Sequence, residues 1–172
     1  RYDVFNRNKR SIRLNLKEEA GRKAYLALVE KADMVIDPYR PGVTERLGIG
    51  PDVCLARNPK IIYGQITGWG RDGPLARSAG HDLNYIALTG ALDSIGPREN
   101  PVLPLNLLGD YGGGALYLLS GLLAAYIHAL KTGKGQIVDA AMCDGVASLM
   151  AGTYAYWQEG RWIPERASNF LA

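Results

Sequence analysis

Two side chains in the middle of this sequence are suited to proton transfer, those of His81 and Asp110. His81 is one of only two histidines among 172 residues, and imidazole readily gives and takes protons near neutral pH. Asp110 follows Gly109 and precedes the run of three glycines at 112–114, where an apolar segment passes into a long helical pattern. Histidine and carboxylate side chains are the usual general acids and bases of enzymes, so we take these two residues as a candidate proton-transfer pair.

Both residues also have a structural interpretation. Asp110 stands where an N-cap is expected, one residue before the helical pattern that begins at Tyr111. That role is compatible with catalysis, because the dipole and free amides of a helix N-terminus favour a charged carboxylate. A histidine placed as His81 is, between Gly80 and Asp82, is more often a surface or core residue than a catalyst. Sequence spacing does not show whether the two side chains meet.

Several other catalytic motifs are not matched. The glycine run at 112–114 has neither the Gly-x-Gly-x-x-Gly spacing of dinucleotide sites nor the lysine of a P-loop. Two histidines and two separate cysteines, Cys54 and Cys143, provide no metal-ligand spacing, and no Gly-x-Ser-x-Gly nucleophile motif occurs. We therefore expect chemistry without a metal or a resident cofactor.

The segments that must position the pair alternate between strand and helix. Apolar and polar residues alternate over 11–16, which predicts a half-buried strand. Helical spacing predicts a helix over 18–32, and the apolar residues 34–36 predict the next strand. This order with short joints is a βα unit of a parallel sheet. We therefore predict an α/β fold, a Rossmann-like open parallel sheet with flanking helices.

The rest of the sequence continues this alternation, with loops rich in proline and glycine over 37–43 and 68–74. The further predicted elements are a short helix capped by Thr44, a helix over 51–57, a strand over 61–67, a helix over 82–92, a long helix over 111–130, a strand over 136–139 and a helix over 140–157. Lys17, Arg40 and Arg46 fall at or near the carboxyl ends of predicted strands. Each is by default a solvated charge, but together they suit a phosphate-bearing ligand.

Composition argues against several classes of protein. A chain of 172 residues that is 47% hydrophobic and 22% charged predicts one folded soluble domain, and a net charge of +3 is too small to indicate a nucleic-acid partner. The longest apolar run, residues 116–130, contains Ser120, Gly121 and His128, so we expect no membrane span. We expect both cysteines to be free buried thiols in a reducing compartment, in a protein that is cytoplasmic, or mitochondrial or peroxisomal if eukaryotic.

Five segments carry a family resemblance along nearly the whole chain. They are residues 7–17 (RNKRSIRLNLK), 40–48 (RPGVTERLG), 80–85 (GHDLNY), 104–110 (PLNLLGD) and 132–136 (TGKGQ). In this order they resemble the family III CoA-transferases of the CaiB/BaiF type, and most closely the α-methylacyl-CoA racemase branch, enzymes of lipid metabolism. The resemblance implies that residues 1–172 are part of a large Rossmann-like CoA-binding domain, without its first strand and helix and without the small domain that follows. It also implies an interlocked homodimer for the whole protein.

The resemblance assigns roles to individual residues. The family's two catalytic bases match His81 and Asp110. Positions around coenzyme A, which is part of the substrate, match Leu14, Asn15, Leu16, Lys17, Arg46, Gly80, Asp82, Leu83, Asn84 and Tyr85, with Arg40 as a weaker candidate. A glutamate that orients the histidine in such racemases is expected beyond residue 172, so we expect the chain by itself to be inactive.

The implied reaction interconverts (R)- and (S)-2-methylacyl-CoA thioesters. A thioester acidifies its α-carbon, and racemisation needs one group to remove that proton from one face and a second group to deliver a proton to the other. On this hypothesis His81 is the base for one enantiomer and Asp110 the base for the other. We expect amides at the start of the helix near Gly109 and Tyr111 to stabilise the intermediate enolate oxygen.

Two other functions remain open. A CoA-transferase of the same family would use the aspartate at Asp110 to attack an acyl-CoA and form an acyl-aspartyl anhydride. His81 argues against this, because nucleophilic aspartate chemistry needs no second base on the opposite face. The other alternative is a non-catalytic CoA-binding module that keeps the fold and has lost the chemistry.

Overall fold

The computed structural model describes residues 4–170, and the elements below lie within that range. In chain order they are a 3₁₀ turn (Val4–Asn6), α1 (Glu19–Val29), β1 (Met34–Asp37), α2 (Val43–Arg46), α3 (Pro51–Arg57), β2 (Ile62–Thr67), α4 (Asp82–Leu88), a π-helical segment (Leu107–Leu116), α5 (Tyr117–Thr132), β3 (Gln136–Ala141), α6 (Met142–Leu149) and α7 (Ala151–Gln158). The three strands form one parallel sheet in the order β1-β2-β3. The predicted α/β fold is confirmed.

The central strand β2 is buried on both faces, as the middle of a parallel sheet requires. Ile62 points into a cluster with α5, and its neighbour Tyr63 points into a cluster with α1 and α3; both are 0% exposed. Helix α5 lies so close to the sheet that a Cβ on Gly64 would come within 2.7 Å of Leu122 Cδ2. Helices therefore cover both faces of the strand whose carboxyl end leads into the candidate site.

The strand predicted over residues 11–16 is wrong, because these residues form no regular secondary structure. Leu14 and Leu16 are half-buried and Asn15 is exposed, but Ile12 is 64% exposed, so the burial follows the predicted alternation only over residues 14–16. A strand also needs a hydrogen-bonding neighbour. Within residues 4–170, β1 pairs only with β2, so no ladder forms along residues 11–16.

Three helix predictions are corrected in detail. Thr44 does not cap α2, because Gly42 is the N-cap and the buried Thr44 hydroxyl donates to Asp37 Oδ2 at 2.8 Å. The helix predicted over 82–92 ends earlier, at Leu88. The helix predicted over 140–157 begins after β3 and is divided at Met150 into α6 and α7. In each case the element exists and its boundary was misplaced.

The π-helical segment and α5 form one continuous helix of 26 residues, Leu107–Thr132. With a mean hydropathy of 1.5 over its most apolar 18 residues, this helix is long and apolar enough to span a membrane, by length and composition alone. Of those 18 residues, 33% are buried. The core helix of a water-soluble protein meets the same criterion, and α5 packs on the sheet through Leu118, Leu122, Ala125 and Ala129. The helix is thus weak evidence for a span, and the absence of one stays a prediction.

Candidate active site

An open cleft of about 340 Å³ lies at the carboxyl ends of the strands, the edge where open α/β sheets bind ligands. Three loops and two helix starts form its walls. The lining residues are Pro38, Tyr39, Arg40 and Pro41 after β1, Ile66, Thr67, Gly68 and Trp69 at the end of β2, Ala76, Ser78, Ala79, Gly80, His81 and Tyr85 around the start of α4, and Met142 after β3. The candidate base His81 and the candidate phosphate ligand Arg40 therefore share one cleft.

His81 is the N-cap residue of α4, with extended backbone angles of φ −134° and ψ 171°. Its N–H donates to Asn84 Oδ1 at 3.0 Å, which fixes the turn and leaves the imidazole exposed on the cleft. Gly80 is required beside it, because a Cβ there would come within 2.8 Å of the rings of Trp69 and Tyr85. The local sequence thus holds the backbone of His81 firmly at the edge of the cleft.

Tyr85 lines the same cleft as His81 and Arg40. Its ring packs edge-on against Trp69, with 4.8 Å between centroids and an interplanar angle of 82°. Burial raises the pKa of the Tyr85 phenol, the negative charge of Asp110 raises it further, and the positive charge of Arg40 lowers it. Tyr85 is therefore within electrostatic reach of both Asp110 and Arg40.

Asp110 lies inside the π-helical segment, so the N-cap interpretation of this residue is wrong. The cap is Asn106, and the N–H of Tyr111 donates to the Asn106 carbonyl, five residues back, at 3.3 Å. Single π-turns inside helices are frequent at functional sites. The Asp110 carboxylate is half-buried and has one long hydrogen bond, from Asn106 Nδ2 to its Oδ2 at 3.4 Å. It is held only loosely and is available to a ligand.

Asp82 joins the two candidate bases. Its Oδ2 accepts hydrogen bonds from the N–H groups of Gly109 and Asp110, each at 2.7 Å, and the residue is only 6% exposed. Asp82 directly follows His81, so these bonds join the backbone next to one candidate base to the backbone of the other; Asp110 itself is not among the residues that line the cleft. Sequence spacing gave no sign of this contact.

The expected stabilisation of an enolate by amides near Gly109 and Tyr111 is wrong as stated. The N–H groups of Gly109 and Asp110 are occupied by Asp82, and that of Tyr111 by the Asn106 carbonyl. The helix start is thus satisfied within the protein, and those three amides are not free for a substrate oxygen.

The remaining candidate residues lie apart from the cleft lining. Arg46 is exposed on the last turn of α2. Lys17 is exposed in a turn where its N–H donates to Asn15 Oδ1 at 3.2 Å and its carbonyl accepts from Arg22. Leu14 and Leu16 are half-buried, and Leu83 and Asn84 are exposed on the first turn of α4. Their assignment to coenzyme A stays a prediction.

Sequence reasoning missed the part that Trp69 plays in the cleft. Its side chain lines the cleft, and within residues 4–170 its buried Nε1 has no hydrogen-bond partner. The loop that carries Trp69 has the spacing Gly68-x-Gly70-x-x-Gly73, but α4 begins only at Asp82, so the helix start that a dinucleotide site requires does not follow. The indole, flanked by glycines at a strand end, was the signal that could have been used.

The described residues include no group of three or more His, Cys, Asp or Glu side chains that could hold a metal ion. Both cysteines are free and buried, as predicted. The arrangement in the cleft is therefore one imidazole, one carboxylate nearby, one guanidinium and an aromatic pair, which is suited to proton transfer or to nucleophilic attack by the carboxylate.

The sequence profile of CoA-transferase family III matches residues 1–171. The chain is 41% identical to the alpha-methylacyl-CoA racemase of Homo sapiens, over 99% of this chain and 46% of the relative. It is 33% identical to an acetyl-CoA:oxalate CoA-transferase of Acetobacter aceti, over 98% of this chain and 43% of the relative. A solved CAIB/BAIF family protein from Brucella suis matches with a TM-score of 0.84 at 32% identity, covering 94% of this chain and 43% of that one.

The chain thus spans less than half the length of these relatives. The relatives are racemases and CoA-transferases, so both chemistries occur among enzymes that share this cleft-forming fold. With the profile covering nearly every residue and the fold in agreement, the motif resemblance is confirmed, and this chain belongs to CoA-transferase family III.

Proposed function

We propose that the whole protein interconverts (R)- and (S)-2-methylacyl-CoA thioesters by proton transfer at the α-carbon. The observation that carries this proposal is the pair of hydrogen bonds that the N–H groups of Gly109 and Asp110 donate to Asp82 Oδ2, which joins the residue after His81 to the backbone of Asp110. The 41% identity to an alpha-methylacyl-CoA racemase supports the same chemistry.

In one direction His81 removes the α-proton and the electron pair delocalises into an enolate. Asp110, protonated, then gives its proton to the other face of the same carbon, which yields the opposite enantiomer. In the reverse direction the carboxylate of Asp110 is the base and the imidazolium of His81 is the acid. Each step moves one proton, and two different bases are needed because the faces are opposite.

The coenzyme A moiety would enter along the carboxyl ends of the strands. Arg40 is the cation on the cleft lining, and a guanidinium suits bidentate contact with phosphate. Lys17 and Arg46 are both exposed and do not line the cleft, and we propose that they contact the distal phosphates. We propose that the remaining residues assigned by resemblance contribute to this binding surface, Asp82 through its backbone and not through its buried side chain.

The alternative is a CoA-transferase in which Asp110 attacks the thioester carbonyl, expels the CoA thiolate and becomes an acyl-aspartyl anhydride. The relatives include a succinyl-CoA:mesaconate CoA-transferase of Haloarcula marismortui at 37% identity. The exposed His81 on the cleft favours the racemase, because a second base has no part in this transfer.

The test is incubation of the whole protein with one enantiomer of a 2-methylacyl-CoA in deuterium oxide. We expect deuterium at the α-carbon together with loss of optical purity. Acyl transfer to an added carboxylate without α-exchange would replace the racemase with the transferase. Neither reaction, with retained CoA binding, would indicate the non-catalytic module.

Variants of the two bases sharpen this test. We expect His81→Ala to stop α-proton removal from one enantiomer and Asp110→Asn to stop α-proton removal from the other enantiomer. Both variants should still bind CoA. Unchanged exchange in both variants would remove these residues from the mechanism.

We also propose that the whole protein is a homodimer located in the cytoplasm, or in mitochondria or peroxisomes if eukaryotic, and that neither nucleic acid nor membrane is a partner. The outer face of the long helix Leu107–Thr132 supports contact with a second protein chain, because Leu116, Leu123 and Leu130 are 50–70% exposed there. Light scattering on the whole protein measures the dimer directly, and a monomer at micromolar concentration would contradict it.

A further inference from the structure

The side chain of Asp82 is placed to control both proposed bases without touching the substrate. It is 6% exposed, and one of its oxygens, Oδ2, accepts two consecutive backbone N–H bonds at 2.7 Å. Such short N–H···O distances are typical of hydrogen bonds to a charged acceptor. The other oxygen, Oδ1, has no hydrogen-bond partner among the described residues. The carboxylate thus faces the backbone of residues 109–110 rather than the cleft.

Gly109 and Asp82 fit each other closely. A Cβ on Gly109 would lie 2.7 Å from Asp82 Oδ2 and 2.8 Å from its Cγ, nearer than real Cβ atoms come to such groups. Only glycine allows the carboxylate to reach both amides. Gly109, which precedes Asp110, and Asp82, which follows His81, are therefore both required for this contact.

This contact satisfies the start of the long helix Leu107–Thr132. The first N–H groups of a helix have no partner within it, and they carry the positive end of the helix dipole. Here a carboxylate from α4 takes two of them, while Asp110 has only the 3.4 Å bond from Asn106 on its own carboxylate. The Asp110 backbone is fixed and its side chain stays free.

We propose that Asp82 is a positioning residue that sets the separation of His81 and Asp110. His81 directly precedes Asp82, and Asp110 is itself one of the two residues whose N–H groups donate to Asp82, so breaking these bonds lets the two groups move apart. A displacement of about 1 Å in a reacting group costs about 100-fold in rate. The inference rests on the proposed function for its kinetic consequence, and on the hydrogen bonds alone for its structural one.

The experiment uses the whole protein and compares kcat and KM for α-proton exchange in Asp82→Ala, Asp82→Asn and a structural control. We expect Asp82→Ala to lower kcat by about 100-fold and to change KM by less than about threefold, because binding groups are untouched. Asparagine keeps one accepting oxygen, so we expect Asp82→Asn to recover about tenfold of the lost kcat.

The control is Asn58→Ala, which removes three hydrogen bonds away from the cleft lining: two from Asn58 Nδ2 to the carbonyls of Val29 and Ala32, and one that Asn58 Oδ1 accepts from the N–H of Lys60. We expect it to lower the melting temperature and leave kcat unchanged. If Asp82→Ala keeps kcat within about threefold of this control, the positioning role is wrong.

A double-mutant cycle covers the case in which Asp82→Ala does not fold. Gly109→Ala displaces the carboxylate, so alone it should lower kcat nearly as much as Asp82→Ala. If Asp82→Ala folds, adding Gly109→Ala to it should cost less than about threefold, because the clash is gone. Full additivity would overturn the contact. If it does not fold, Gly109→Ala and Asp82→Asn decide, and wild-type kcat in both would overturn it.

Amide hydrogen exchange separates this inference from the racemase proposal. We expect the amides of Gly109 and Asp110 to exchange faster in Asp82→Asn than in the wild type, whatever the reaction. If the wild type shows acyl transfer without α-exchange, the racemase proposal fails and the same variants are compared on transfer, which also uses Asp110. Unchanged protection of both amides would refute the link itself.

Discussion

Three ionisable side chains that take no part in the proposed chemistry lie together between β2, α1 and α3. Burial raises the pKa of the Cys54 thiol to about 11, and burial together with neighbouring charges raises the pKa values of Tyr25 and Tyr63 well above their ordinary range. In the unfolded chain these groups lose their protons near their ordinary pKa values of about 9 to 10. The folded state keeps the protons, so it loses stability relative to the unfolded chain as pH rises through that window.

We therefore expect the urea midpoint to be constant up to about pH 8 and to fall from about pH 9 to pH 11. Cys54→Ala lowers the midpoint at all pH values through the lost packing, and it should make the alkaline decline shallower because one titrating group is gone. Unfolding followed by circular dichroism at several pH values measures this. A midpoint that does not change between pH 8 and pH 11 would contradict the assignment.

Arg40 is the cation that the structure places on the cleft. We expect Arg40→Ala to raise the KM for acyl-CoA about tenfold with little change in kcat, because a phosphate contact contributes to binding in the ground and transition states alike. Arg57→Ala is the matched control, since Arg57 pairs with Glu30 and does not line the cleft. An equal effect of both substitutions would mean that charge alone matters and not position.

At the residue scale the sequence predicted two bases, whose role stays a prediction, and a cation, Arg40, that lies on the cleft. No sequence pattern indicated the contact between Asp82 and residues 109–110. His81, Arg40 and Tyr85 line the cleft as side chains at strand and helix ends are expected to. The bond from Asp82 to Gly109 and Asp110 spans 27 and 28 positions. Hydrophobic periodicity and helix-capping motifs predict interactions only between residues a few positions apart. They therefore cannot predict a contact between residues so far apart in the chain.

Elements pack most closely where the π-helical segment crosses α6. A Cβ on Gly145 would overlap the Gly113 carbonyl oxygen, and one on Gly113 would lie 2.6 Å from Val146. The glycines therefore let two backbones touch. The run at 112–114 has a packing function and is not a phosphate loop.

We expect Gly145→Ala to reduce the free energy of unfolding by about 1–3 kcal/mol, because overpacking forces the helices apart. Gly152→Ala in α7 is the control. A Cβ there meets nothing within 4 Å, so we expect a gain of about 0.5–1 kcal/mol from helix propensity. Chemical denaturation measures the free energy of unfolding of both variants. If Gly152→Ala lowers it as much as Gly145→Ala does, the close packing of the π-helical segment on α6 is not the cause.

Element types were predictable and boundaries were less so. Helix α3 at Pro51–Arg57 agrees with its prediction, since proline at the start and Asn58-Pro59 at the end give strong local signals. The long helix begins at Leu107 rather than at residue 111, because Asp82 satisfies its first amides from another element. The strand predicted over residues 11–16 also depended on a distant partner, because a strand needs a neighbouring strand to bond to. Within residues 4–170 that neighbour is missing, so the strand does not form.

On the scale of the whole molecule, the outer face of the long helix Leu107–Thr132 carries an apolar stripe that the described residues leave uncovered. Leu116, Leu119, Leu123, Ile127 and Leu130 recur at helical spacing and are 46–70% exposed. Burying one leucine contributes about 1.5–3 kcal/mol, so several in a row favour association. The inner face of the same helix is fully engaged with the sheet.

We expect the 172-residue chain by itself to self-associate, and Leu123→Glu to reduce the association by placing a charge in the stripe. Val102→Glu is the matched control, because Val102 and Leu123 are both 50% exposed and Val102 lies outside α5. Sedimentation velocity over a range of concentrations measures the effect. If both variants behave alike, the stripe has no special role.

The parallel pairing of β2 with β3 also has a consequence for the order of folding. Residues 68–135 run between these two neighbouring strands, and they contain His81, Asp82, Gly109 and Asp110. Closing so long a connection is slow compared with forming the short β1 to β2 unit. The two proposed bases therefore gain their relative position late, and we expect the activity of the whole protein to return during refolding no earlier than protection of the β3 amides.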